Sequence, residues 1–158
     1  SNPIKRVLLV EDDDDDAFLS SRALRKAMDP LGITYDLEHV RTGKAAVERL
    51  FEGDKLKQPL FDLVLLDLMM PVMTGREALE IIRRHPEGWK VPVVVLTTSS
   101  NKYDVETVWG SGVSTYLVKP ILPDDYASIL GAKGASSFAK ITALEVPRPS
   151  AAASVELD

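Results

Sequence analysis

Up to Pro120 the chain alternates short, wholly apolar runs with stretches in which apolar residues recur every three or four positions. The run Val7-Leu8-Leu9-Val10 predicts a buried strand. After it, Ala17, Ser21, Leu24 and Met28 fall on one helical face, and Asp29-Pro30 ends that helix because proline lacks the amide that a further turn needs. A half-buried strand is expected over residues 35–40. Thr42-Gly43 then opens a second helix with Ala46, Val47, Leu50 and Phe51 on one face, before a loop over 53–59. Leu63-Val64-Leu65-Leu66 is apolar at every position, as a strand becomes when helices cover both faces of its sheet.

A loop over 69–75 leads to a third helix, whose stripe of Ala78, Leu79 and Ile82 runs out at His85-Pro86. A fourth strand is expected over 91–96, a weaker helix over 101–110 with Gly110 and Gly112 crowding its end, and a short fifth strand over 115–118. Five strands separated by helices, with connections short enough for right-handed crossovers, predict an α/β fold. Its expected form is a doubly wound, five-stranded parallel sheet with helices on both faces. Beyond Pro120 the pattern loosens. Pro123-Asp124-Asp125 starts a last helix carrying Tyr126, Ile129 and Leu130, which Gly131 and Gly134 interrupt at about 1 kcal/mol each relative to alanine. Phe138 and Ile141 resume it, and Pro147, Pro149 and the Ala/Ser run over 150–154 read as a tail.

Composition narrows the function classes. The 158 residues carry 19 Lys+Arg against 24 Asp+Glu, a net charge of −5, which argues against binding nucleic acid because a phosphate backbone calls for a clustered basic surface. The absence of cysteine excludes a disulfide scaffold, a thiolate zinc site and a cysteine nucleophile. No apolar run approaches the roughly 20 residues that cross a bilayer, and no signal peptide is read at the start, so a soluble, cytoplasmic protein without membrane partners is expected. The opening Ser1-Asn2-Pro3 reads as a remnant of tag cleavage and is set outside the fold.

In a doubly wound sheet, ligands bind at the carboxyl ends of the strands. Glu11-Asp12, Asp67, Thr97 and Lys119 follow four of the apolar runs, bringing three carboxylates, a hydroxyl and an amine to one edge. Carboxylates about 5 Å apart repel by about 3 kcal/mol per pair at an effective dielectric of 20. A hard divalent cation relieves this, and Mg²⁺, which takes one or two carboxylates and favours a phosphate oxygen beside its waters, fits best, with Mn²⁺ as a substitute. Such an edge is set up to receive a phosphoryl group. Asp67 supplies a carboxylate nucleophile, Lys119 neutralises the transferred group and Thr97 donates a hydrogen bond to it.

These residues stand in Val10-Glu11-Asp12, Leu66-Asp67-Leu68-Met69-Met70-Pro71 with Gly75, Val95-Leu96-Thr97-Thr98-Ser99 and Tyr116-Leu117-Val118-Lys119-Pro120. Over residues 4–130 the chain resembles the receiver domain of two-component response regulators, a flavodoxin-like, CheY-like fold. The resemblance implies that Asp67 is the phosphoacceptor, that Glu11, Asp12, Asp67 and the Met69 backbone carbonyl hold Mg²⁺, and that Lys119 binds the phosphate. It further implies Thr97 and Tyr116 as the switch pair and a cis Lys119-Pro120 bond. The phosphodonor would be a sensor histidine kinase.

The acidic tract, the Leu96-Thr97-Thr98-Ser99 phrase and the long loop before the third strand look like the single-domain type that accompanies phytochrome-like kinases. Output would then pass by protein contact or by onward transfer to a histidine phosphotransfer protein. Thr74 stands where the family often has Asp, and Val113 where it often has Ala. Residues 131–158 are expected to be a helix remainder and a tail or dimerisation arm, with a homodimer formed through the 101–110 helix, the fifth strand and this segment.

Other features have plainer readings. Asp14, Asp15 and Asp16 read as a solvated helix start, since carboxylates favour the positive end of a helix dipole, and Asp13 is left open. His39 and His85 read as structural or solvent-facing, outside the cluster. Trp109 is either a buried anchor or an interface contact. A phosphatase acting on outside substrates would want a second acid two residues after Asp67, where Met69 stands. A binding module that has lost phosphorylation would not need the whole set.

Overall fold

The runs 7–10, 63–66 and 93–96 are apolar and buried on both faces because two helical layers sandwich them, whereas residues 35–40 are mostly half-buried. A computed structural model describes residues 5–52, 61–68, 75–85, 91–98 and 115–130. Their order is β1 (Lys5–Val10), α1 (Asp14–Met28), a 3₁₀ turn (Asp29–Leu31), β2 (Tyr35–Val40), α2 (Gly43–Phe51), β3 (Leu63–Asp67), α3 (Gly75–Arg84), β4 (Val93–Thr97), β5 (Thr115–Val118) and α4 (Pro123–Leu130). All neighbouring strands pair in parallel, in the order β2-β1-β3-β4-β5. This is the expected doubly wound sheet, with Asp67 at the end of the central strand.

Strand side chains alternate between two cores. Leu8, Val10, Val64, Leu66, Val93 and Val95 pack with Ala46, Leu50, Ala78, Leu79 and Ile82 of α2 and α3. Val7, Leu9, Leu63, Leu65, Val94 and Leu96 pack with Ala17, Leu24, Met28 and Tyr126 of α1 and α4. Among the described residues no helix is long and apolar enough to cross a membrane.

Several boundaries shift for local reasons. β4 begins at Val93, not Val91, because Pro92 has no amide to donate and the buried Arg83 takes the Val91 carbonyl at 2.9 Å. β3 and β4 each run one residue further than the apolar pattern, taking in Asp67 and Thr97. On α1 the buried face carries Ser20, while Ser21 is only half-buried. The helix ends before Pro30 as expected, in a 3₁₀ turn closed by Gly32 at φ 68°. The 101–110 helix with Trp109, the loops at 53–59 and 69–74, Thr74 and Val113, and the segment 131–158 lie outside the described residues.

Thr42 caps α2, its hydroxyl oxygen accepting the Ala45 amide at 3.0 Å. Thr42→Ala orphans that amide and is expected to cost about 1 kcal/mol. Urea unfolding should show a lower midpoint with an unchanged slope.

Candidate functional site

The acidic edge forms where β1 and β3 stop side by side. Glu11 lies one residue beyond β1, and its amide donates to the Val40 carbonyl at 3.0 Å, continuing the sheet ladder by one rung. Asp13 then caps α1 by accepting the Asp16 amide at 2.9 Å, so the chain turns into the helix immediately after the acidic pair. Asp67 closes β3, and Leu68 donates its amide to Leu96 at 3.1 Å. Glu11, Asp67 and Thr97 are all buried.

Each of Glu11, Asp12 and Asp67 offers a carboxylate oxygen within a cluster no more than 4.8 Å across. Lys119 follows the edge strand β5, and its amide donates to the Thr97 carbonyl at 2.7 Å, continuing the β4–β5 ladder. The Lys119-Pro120 bond is cis, as the family resemblance implied. The ammonium pairs with the Glu11 carboxylate and lies 3.2 Å from Asp16 and 3.6 Å from Asp67. One cation thus serves several carboxylates at once.

The electrostatic cost falls on Glu11. Burial first, and then the hydrogen bond with and charge of Asp67, raise its carboxyl from an ordinary 4.5 to about 7 against the opposing pull of Lys119. Burial also pulls the Lys119 ammonium down, but its bond to Glu11 and the charges of Asp67, Glu11 and Asp16 outweigh that and leave it raised. The donor set is all oxygen and tightly clustered, with Lys119 shared among its carboxylates. These residues therefore fit a hard divalent cation of the Mg²⁺ kind.

Glu11, Asp12, Asp67, Thr97 and Lys119 all come to this edge, as the strand ends predict. Tyr116 pairs with Val95 along β5, but its side chain lies outside the described residues, as does Met69 altogether. Asp16 stands in the acidic first turn of α1 and is partly solvated, as expected, but it also has a role that reading left out: its carboxylate accepts from Lys119 at 3.2 Å. The signal was present: Asp16, Ser20, Ala23 and Ala27 share one helical face, and the last three are buried.

His85 is structural, stacked on Phe51 with centroids 3.6 Å apart. His39 is structural too, yet its Nε2 lies 2.7 Å from the Glu11 carbonyl oxygen, so it touches the backbone of the cluster. Gly75, quoted in the motif without a stated role, starts α3 against the Asp67 backbone.

A family model of the response regulator receiver domain matches residues 7–130. Response regulator Rcp1 of Synechocystis is 40% identical over 120 residues, which span 75% of this chain and 79% of that protein. A phosphorylated cyanobacterial phytochrome response regulator, RcpA, superposes with a TM-score of 0.67 at 32% identity, covering 92% of this chain and 100% of that one. The receiver domain of the Pseudomonas aeruginosa sensor histidine kinase PA1611, solved with magnesium coordinated in its active-site cleft, superposes with a TM-score of 0.66 at 25% identity, covering 90% and 100%.

Proposed function

This chain belongs to the response regulator receiver family, and from that premise we propose that it takes a phosphoryl group from a phosphohistidine onto Asp67. The observation that carries the reading is the Asp67 carboxylate, buried at the end of the central strand beside Glu11 and Asp12 and 3.6 Å from the Lys119 ammonium. Glu11, Asp12, Asp67 and the Met69 carbonyl would hold Mg²⁺, or Mn²⁺ in its stead, which when bound offsets the negative charge of the incoming phosphoryl oxygens.

An Asp67 oxygen attacks phosphorus in line, the phosphorus–nitrogen bond breaks, and the departing imidazole nitrogen keeps its electron pair. Lys119 already sits where the new negative charge arrives and exchanges carboxylate partners for phosphoryl oxygens. Thr97, at the end of the adjacent strand, donates its hydroxyl to the same group, and Tyr116 follows it as the second element of the switch. The added charge of about −1.5 to −2 biases the molecule between two states. The acceptor is the protein's own carboxylate, so the domain signals and does not turn over outside substrates.

Receiver domains partner with histidine kinases. The likeness to Rcp1 and RcpA favours a phytochrome-like kinase for this one, in the cytoplasm, with output by protein contact or transfer to a histidine phosphotransfer protein. We take residues 4–130 as the receiver unit and 131–158 as a helix remainder and tail or dimerisation arm, the arm acting with β5 and residues 101–110 in a proposed homodimer.

Incubation with acetyl phosphate and Mg²⁺, followed by intact mass, tests the reading. One phosphoryl group should appear on the wild type and vanish in Asp67→Asn and in chelator, with light scattering on the same samples reporting assembly. No gain in a wild type that binds Mg²⁺, given either acetyl phosphate or a phosphorylated histidine kinase, would overturn it.

A further inference from the structure

At Glu11 the parallel ladder between β1 and β2 runs out. The Glu11 amide still finds the Val40 carbonyl at 3.0 Å. The next rung would bring a backbone amide to the Glu11 carbonyl from Thr42, which has instead left the strand to cap α2. The described main-chain pairs lack that rung. In its place His39, on the same strand β2, sets its imidazole Nε2 at 2.7 Å from the oxygen. A carbonyl oxygen only accepts, so Nε2 carries the hydrogen and the ring donates.

The carbonyl of Glu11 lies in the peptide plane that joins Glu11 to Asp12. Because that plane is rigid, holding its oxygen fixes the ψ of Glu11 and with it the place of the Asp12 amide and α-carbon relative to Glu11, the base from which the Asp12 carboxylate leaves. The half-buried ring lines a cleft of about 220 Å³ between α1 and β2, with Leu9, Asp14, Ala17, Phe18, Ser21 and Leu37. Both main-chain polar groups of Glu11, its amide and its carbonyl, are thus engaged from one strand, by Val40 and by His39.

We infer that His39 is a positioning residue for the cation site, holding the Glu11–Asp12 peptide in the orientation that gathers the acidic cluster; this rests on the reading of Glu11 and Asp12 as cation ligands. Groups that orient metal ligands without touching the metal commonly set affinity by tenfold or more. An imidazole donor at the end of an edge strand does this with a side chain where the sheet has no amide left to give.

Calorimetric titration of the full chain with Mg²⁺ at pH 8 tests the inference. His39→Leu, close in volume but without a donor, should bind Mg²⁺ about tenfold more weakly. His39→Gln, which keeps an N–H donor, should return to within about twofold of wild type, since the donor and not the ring is what the carbonyl uses. The Mg²⁺ concentration for half-maximal labelling by acetyl phosphate should rise by the same factor in H39L, with the rate at saturating Mg²⁺ unchanged.

Wild-type affinity in H39L overturns the inference, and so does equal weakening in both variants, which would make the ring's bulk the cause. Should H39L fail to fold, ¹⁵N spectra of the wild-type imidazole at pH 8 decide, because a bare Nε2 with the proton on Nδ1 overturns it. A wild type that binds no Mg²⁺ overturns the reading of the site itself and this inference with it, a result distinct from the others.

Discussion

Gly75→Ala is expected to remove at least about 3 kcal/mol of stability, near the upper end of what overpacking costs. A β-carbon at Gly75 would stand 2.1 Å from the Asp67 carbonyl oxygen and 2.7 Å from the Leu68 α-carbon. Both are backbone atoms, so no rotamer change relieves the clash. The Gly75 amide also donates to the Leu68 carbonyl at 3.1 Å, which draws the start of α3 onto the end of β3. Helix and strand must separate, and the strand end that moves carries Asp67.

With a domain stability of about 5–15 kcal/mol, Gly75→Ala should lower the urea midpoint sharply, and the protein that remains folded should bind Mg²⁺ more weakly. Gly32→Ala provides the contrast. Nothing lies within 4 Å of the added atom there, and the only cost is the left-handed φ of 68°, about 1–2 kcal/mol. Equal losses at the two glycines would show that the contact with Asp67 is not what Gly75 provides.

Lys119→Met is the second large effect. It leaves Glu11 and Asp67 buried without their shared cation, and removing one partner of a buried ion pair costs about 3 kcal/mol or more. In chelator at pH 8 the melting temperature should fall by roughly 10 °C. The deficit should shrink at pH 6. The carboxyl of Glu11 stands at about 7 in the fold against an ordinary 4.5, so the folded state binds the extra proton between those values, and stability falls as pH rises through that window.

Removing Lys119 takes away one of the influences holding the Glu11 carboxyl down, so the window over which stability falls extends to higher pH. Mg²⁺ at pH 8 should restore part of the loss by supplying the missing positive charge. Melts at both pH values, with chelator and with Mg²⁺, check this. A deficit independent of pH and of Mg²⁺ would mean that the lysine contributes packing and not charge.

The residues at the strand ends were legible because a parallel strand advertises itself. Val7 to Val10, Leu63 to Leu66 and Val93 to Leu96 are buried on both faces, and the first polar residue after each run points to the ligand edge. Gly75 was visible as part of a motif, but its contact was not, since the approach of its α-carbon to Asp67 exists only once α3 lies on β3. Ser21 was placed on the buried face of α1 where Ser20 belongs, because a single serine carries no hydropathy signal to choose between neighbouring positions.

The order and type of the elements, the sheet's double cover and the acidic edge with its lysine were determined by the sequence alone. They rest on hydropathy period and strand ends, which are local properties of the chain. Tertiary structure decided the rest. That Asp16 faces Lys119, 103 positions away, depends on how α1 and the end of β5 meet. That His39 reaches the Glu11 carbonyl, 28 positions away, depends on the parallel register that sets Leu9 opposite His39. Side chains distant in sequence share one electrostatic site only after the sheet has fixed their separation, and hydropathy along the chain carries no record of that distance.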